Sequence, residues 1–408
     1  MPFHRLAASL AMIVAVSACS DTGVEPAGTQ TGVTIAVKDP IRVAVFNASL
    51  YRDEPGALAR DLAGGENPQA LAIAEIIQRV DPDILLINEF DYDAGGNALS
   101  LFREQYLAAS QGTAAAIHFT DSFIAPSNTG IDSGFDLDKD STLGGPADAW
   151  GFGRHPGQYG MAILSKYDID EDAVRSFQKF RWADMPDNLI PRPFYDGEVA
   201  AALRLSSKTH IDVPIIVGGE TIHILASHPT PPGFDGEEDR NGRRNYDEIR
   251  MFADYITPGA ASYLYDDNGI YGGLAKGARF VIMGDLNADP ADGGSRPGAI
   301  GQLLDNPLVD TRFTPGSEGA CEAAQAQGGV NIDHQTPCRT DTADFDERFT
   351  GNLRVDYVLP SVSGLRIKDG GVFWPHSSDR LSRLTGTAEN PRPSSDHHLV
   401  WLDLHIVP

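Results

Sequence analysis

Short apolar runs recur along the chain, and most of them stop abruptly at a polar side chain. "IRVAVFN" (41–47), "ILLINEF" (84–90), "GMAILSKYDI" (160–169), "VAAALRL" (199–205), "VPIIV" (213–217), "TIHILASH" (221–228) and "RFVIMGDLN" (279–287) read as strands. "RVDYVLP" (354–360) and "HHLVWLDLHIV" (397–407) close the series. Gly218-Gly219 between two of these runs is a hairpin signal. Between the strands, apolar residues fall near helical spacing at 67–83, 98–110 and 243–256. Asn67-Pro68 supplies a cap followed by proline in the first turn. Strands and helices alternating in this number predict an α/β fold with two layers of sheet. No linker interrupts the pattern, so one catalytic domain is expected over 41–408.

The run ends carry the chemistry. Asn47, Glu89 and His228 terminate or closely follow three strands, and Asp285 with Asn287 closes a fourth. Near the C-terminus the order reverses, because Asp356 opens "DYVLP" and Asp396-His397 precede "HLVWLDLHIV". If the last strands run antiparallel to the others, these groups meet at one edge, where ligands of open α/β sheets commonly bind. Each has a bland alternative: Asp-x-Asn is often a turn, a lone histidine is often structural, and Glu89 could cap a loop. Together, Glu89, Asp285, Asp356 and Asp396 with no obvious basic partner could not all stay ionised without a cation. A hard, oxygen-liganded metal resolves this, Mg²⁺ first and Mn²⁺ or Ca²⁺ next. Metal, carboxylates and histidine together suit attack of water on a phosphoester.

The ordered series "FNASL", "INEF", "YGMAILSK", "ASHPTPP", "GDLNADP", "VDYVLPS" and "SDHHLVWLDL" resembles the endonuclease/exonuclease/phosphatase superfamily, the fold of DNase I-like nucleases, sphingomyelinases and inositol phosphatases. The resemblance implies a four-layer sandwich of two mixed β-sheets packed face to face with flanking helices. It implies Asn47, Glu89, Asp285 and Asp396 as metal-site residues, with Glu89 the principal ligand. It implies His228, Asp285, Asn287, Asp356 and His397 as catalytic residues. In these roles Asp285 orients water, Asn287 donates to phosphoryl, and Asp356 orients His397. The expected activity is metal-dependent phosphodiester cleavage, nucleic acid included. Phosphomonoester or sphingomyelinase-like phospholipid hydrolysis is the alternative within the fold, and a non-catalytic binding lipoprotein is the alternative outside it.

Charge and termini adjust this picture. With 32 basic and 57 acidic residues the net charge is −25, which disfavours non-specific attraction to phosphate polymers. Residues 1–19 read as a signal peptide whose "VSAC" resembles a bacterial lipobox, making Cys19 a lipid anchor; an ordinary signal peptide is the other reading. Residues 20–40 then form a tether, and the protein is expected outside the cytoplasm, at the outer membrane or cell surface, touching membrane only through its anchor. Export favours a disulfide between Cys321 and Cys338. After His228, Arg240, Arg243, Arg244 and Arg250 either contact substrate phosphate, with Arg243 and Arg244 the candidates, or balance Glu237, Glu238, Asp239 and Glu248. The long loop over 128–160 includes Asp136, Asp138 and Asp140, spaced like the start of a calcium loop. It lacks the loop's glycine and final glutamate, so 132–148 reads as a solvated acidic segment. Tyr159 either lines the cleft or packs.

Overall fold

The computed structural model describes residues 39–234, 236–387 and 392–408. The signal peptide, Cys19 and nearly all of the 20–40 tether lie outside the described residues. The strands, in chain order, are β1 (Ile41–Leu50), β2 (Ile84–Phe90), β3 (Asp121–Ile124), β4 (Met161–Ser165), β5 (Asp168–Ile169), β6 (Arg175–Ser176) and β7 (Ile211–Val217). They continue as β8 (Glu220–Ala226), β9 (Arg279–Asp285), β10 (Ala343–Asp344), β11 (Asn352–Leu353), β12 (Asp356–Pro360), β13 (Leu365–Val372) and β14 (Val400–Ile406).

One sheet has the order β13-β14-β1-β2-β4-β3, and the other β12-β9-β8-β7-β5 with β6 also on β7. Both are mixed: β1 runs parallel to β2 and antiparallel to β14, while β9 runs parallel to β8 and antiparallel to β12. The central strands are buried on both faces, so their sequences are continuously apolar rather than alternating. Val43 and Val45 of β1 join Val281 and Met283 of β9 in the core between the sheets. Their neighbours Ala44 and Phe46 point the other way, into a cluster with Ile73 and Ile77 of the helix Pro68–Val80. Phe280 and Ile282 likewise meet Ile249 and Phe252 of the helix Arg240–Ile256. Helices thus cover both outer faces, completing the four-layer α/β sandwich.

Several local expectations hold for the anticipated reasons. The Asn67 side chain accepts from the Ala70 amide with Pro68 in the first turn, and Gly218 and Gly219 turn β7 into β8 with φ 61 and 87. Cys321 and Cys338 are bonded, tying the helix Glu318–Gln327 to the turn at Cys338.

Two expectations change. The "VAAALRL" segment is a helix over Gly197–Ala202, because its three consecutive alanines favour helix once Asp196 opens the turn. Residues 98–110 begin as an α-helix at Asn97–Leu101 but widen into a π-helical turn at Phe102–Leu107. Strand β13 gave no sequence signal. It is an edge strand whose middle carries Lys368, Asp369 and two glycines, composition that protects an edge and hides the strand.

Candidate active site

The mixed sheet directions decide where the site forms. The carboxyl ends of β1, β2, β8 and β9 and the amino ends of β12 and β14 share one edge, with Asp356 directly opposite Asp285 in the ladder. Asn47 bridges the two sheets: its Nδ2 donates to Asp285 Oδ2 at 3.0 Å, and it also hydrogen-bonds Glu89. A second bridge runs from Asn88 Oδ1, which accepts the Asp285 amide at 3.1 Å.

His397 Nδ1 sits 2.8 Å from Asp356 Oδ2, and its Nε2 lies 3.6 Å from Asp285 Oδ2. Thr342 Oγ1 donates to the same Asp356 oxygen at 2.8 Å and accepts the Asp356 amide, which fixes that carboxylate. His228 Nε2 approaches Asp285 Oδ2 from the other side at 3.4 Å. Asp396 accepts from Ser49 Oγ at 3.1 Å, and Ser395 Oγ ties the segment before His397 to the Asn47 carbonyl at 2.7 Å.

Strand β9 ends at Asp285, so extended geometry does not align Asn287 with it. Instead Asn287 adopts φ 50, its amide donates to Asp285 Oδ1 at 3.0 Å, and its Nδ2 donates to the Pro229 carbonyl at 3.1 Å. Glu89, Ser49 and Tyr159 also have positive φ, at 56, 48 and 57. Four non-glycine residues in the left-handed region around one edge mark a backbone constrained to aim side chains there.

The electrostatics separate the two histidines. Burial opposes charge on His397, but Asp356 and then Asp285 outweigh it and hold its pKa well above the ordinary imidazole range. His228 goes the other way: burial, then the charges of Lys208 and His397, keep it neutral. Burial pushes Asp285 up to about 6 against the pull of His397. Glu89 rises to about 7 through burial, with Asp396 and Asp285 adding to the rise and His397 opposing it. The donor set around Glu89, namely its own carboxylate, Asn47 and Asp396, is all oxygen and carries mutually repelling charge. A hard divalent cation fits such a set and would relieve that repulsion. Asp285, Asp356 and His397 also bring donor atoms within 4.8 Å of one another, but the hydrogen bond between His397 and Asp356 already commits the imidazole.

The match to known families agrees with this geometry: the model of the endonuclease/exonuclease/phosphatase family fits residues 44–397. The chain belongs to that family. Its members are phosphoesterase-type hydrolases, and the matched span encloses every site residue from Asn47 to His397. Among solved structures, it is similar to an endonuclease/exonuclease/phosphatase from Beutenbergia cavernae at 17% identity and TM-score 0.49, covering 90% of this chain and 72% of that one. A family protein from Leptotrichia buccalis gives 14% and 0.45, covering 90% and 100%. A mannosyl-6-phosphatase from Bacteroides thetaiotaomicron gives 14% and 0.41, covering 89% and 99%. Comparison with curated proteins finds no match.

The two arginines singled out for phosphate are both engaged elsewhere in this family member. Arg243 Nε donates to the Glu238 carbonyl at 3.1 Å. Arg244 does border the cleft, but its guanidinium donates to the carbonyls of Leu205, Trp150 and Arg204 at 2.6–2.9 Å. Arg250 donates to the Pro186 carbonyl and Arg240 to Glu238. Lys208 also lines the cleft, and the sequence pattern did not single it out. Lys208 is 7% exposed, its ammonium forms no hydrogen bond among the described residues, and burial lowers its pKa against the pull of Glu248, Glu89 and Asp285.

Glu248, read from sequence as a counter-charge to the arginines, is fully buried and accepts the amides of Ser207 and Thr230 at 2.6 Å each. It thereby clamps the segments bearing Lys208 and His228. Beside it, Asn245 Nδ2 donates to the carbonyls of Thr230 and Leu286. A buried polar residue in a helix is the one available signal for such a clamp, and it is visible only once the helix has a buried face. Tyr159 lines the cleft and also packs on Tyr51 with ring centroids 4.5 Å apart. In the acidic loop, Asp148 is buried and accepts the amides of Leu137 and Gly144, while Asp138 and Asp140 accept amides two residues onward.

Proposed function

We propose that this protein is a divalent-metal-dependent phosphodiesterase, cleaving its substrate by in-line attack of water. The observation that carries the reading is the Asp356–His397–Asp285 arrangement, with contacts of 2.8 and 3.6 Å. Asp285, ionised at neutral pH, accepts the proton of water as the water oxygen forms the new bond to phosphorus; the ester P–O bond opposite breaks, and the leaving oxygen departs with the electron pair and takes a proton from solvent. His397, kept charged by Asp356, faces the negative charge that grows on the phosphoryl oxygens. Asn47, Glu89 and Asp396 would hold the cation, Mg²⁺ first. A bound cation supplies charge neutralisation at phosphoryl oxygens. Neutral His228 and the Lys208 ammonium border the place where those oxygens would sit.

The test is hydrolysis of bis-p-nitrophenyl phosphate before and after exhaustive chelation. Activity should vanish in metal-free protein and return with Mg²⁺ or Mn²⁺; undiminished turnover without metal sinks the mechanism. A location at the cell surface is proposed with it, resting on the lipobox at Cys19. In a bacterial host, Cys19→Ser should release the protein from membranes, and retention through detergent-free washing would count against the anchor.

A further inference from the structure

Beside the catalytic edge lies a cleft of about 480 Å³, the size of a whole small-molecule site rather than a solvent niche. Its two ends differ in chemistry. At one end stand Glu89, Lys208 and His228, together with Thr230, a buried residue whose hydroxyl has no partner among the described residues. At the other, the floor is formed by Leu137, Trp182, Tyr195 and Leu203, all at most 5% exposed. Phe152 and Phe234 stand at its rim, 59% and 93% exposed. The Trp182 indole N–H already donates to Asp247 Oδ2 at 2.6 Å, so the floor offers its ring rather than that donor.

We propose that this cleft receives a planar apolar group attached to the substrate's phosphate, so that the enzyme acts on small aryl- or heteroaryl-bearing phosphoesters. The assignment rests on the phosphoesterase reading above. Charge complementarity orients such a ligand. Its anionic phosphate meets Lys208, whose ammonium has no hydrogen-bonding partner among the described residues, while Arg240 and Arg244 are held by Glu238 and by backbone carbonyls. Its ring covers apolar floor that would otherwise face water. A long polyanion would meet a protein of net charge −25.

The experiment measures competitive inhibition of bis-p-nitrophenyl phosphate hydrolysis by matched pairs that differ in the planar group. Phenylphosphonate is compared with methylphosphonate, and uridine 5′-monophosphate with ribose 5-phosphate. The planar member of at least one pair should bind about tenfold tighter or more, as burying one ring implies. A gain in the nucleotide pair alone assigns a nucleobase, and a gain in both assigns any flat ring. Phe152→Ala should narrow the ratio several-fold, whereas Phe349→Ala, an exposed phenylalanine that does not line the cleft, should not. Hydrolysis with equal inhibition inside both pairs overturns the cleft assignment and leaves the phosphoesterase reading standing. No hydrolysis with any divalent metal overturns that reading, and the cleft assignment falls with it.

Discussion

The catalytic edge and the cleft beside it are neighbours built by opposite means. At the edge, Asn47, Glu89, Asp285 and Asp356 lie within strands buried between layers, and His397 sits three residues before one. Their strands are fixed by ladders, with Asp285 paired directly to Asp356 and Asn47 to Asn88, so each side chain arrives where the sheet registers put it. The cleft wall is drawn from irregular stretches: Leu137, Ala149 and Phe152 from one long loop, Tyr195 and Leu203 from around a short helix, Phe234 from the segment after His228. The reacting groups sit on the sheets and much of the apolar wall on loops, an arrangement that lets loops change without disturbing the reacting groups.

The largest expected effect tests the edge. His397→Ala removes the cation facing the phosphoryl oxygens and should lower kcat by roughly 10²–10³-fold, with KM for bis-p-nitrophenyl phosphate nearly unchanged. Asp356→Asn should act in the same direction and shift the descending limb of the pH–rate profile, since Asp356 is the strongest contributor to the raised His397 pKa. If His397→Ala instead raised KM and spared kcat, the histidine would be a binding residue and the division between edge and wall would fail.

The same division explains what the sequence disclosed. Strand ends are legible because a buried strand is a continuous apolar run, so a carboxylate at its end stands out; Glu89, Asp285 and Asp356 were found in this way. Lys208 was not, because "LSSKTH" has neither strand nor helix periodicity, and nothing local says that its side chain turns inward. Arg243 and Arg244 drew attention as a basic pair, yet the fold consumes both in holding backbone oxygens. Asn287 lies past the end of the strand at Asp285, and a tight turn with positive φ brings it to the site. Glu248 looked like one of several compensating charges, because its role depends on two segments 41 and 18 residues away in sequence.

That clamp gives the second prediction, which asks whether the wall is held from outside the edge. Glu248→Gln replaces one of two accepting oxygens with an amide that faces a backbone N–H of Ser207 or Thr230. It should cost roughly 2–4 kcal/mol in urea-unfolding stability. Residual activity should fall mainly through KM, because Lys208 and Thr230 move with their segments while Asp285 keeps its pairing with Asp356 and His397 its hydrogen bond to Asp356. Loss of kcat at unchanged KM would show that the clamp serves the edge instead.

The smallest effect comes from acid acting on the same strap. His210 is 1% exposed; its Nε2 donates to the Glu248 carbonyl at 2.9 Å, leaving Nδ1 to accept from Ser206 Oγ at 2.7 Å. Burial lowers its pKa from 6.5 to about 4. Between those values the unfolded chain binds a proton that the folded chain refuses, so stability falls as pH drops through 6.5 and levels off below about 4. The loss is at most on the order of 3 kcal/mol. Several carboxylates oppose it: burial raises Asp341 to about 8, Glu89 to about 7 and Asp91 to about 6, so the folded state takes up protons there and gains stability as pH falls. The raw acid curve is therefore a sum of opposite slopes. The His210 contribution emerges as the difference between wild type and His210→Gln, which can keep both hydrogen bonds and cannot titrate. The variant should lose less stability than wild type between pH 6.5 and 4. Parallel curves would mean that the strap has no acid-sensitive contact, and that the cleft wall is tied down as firmly as the edge.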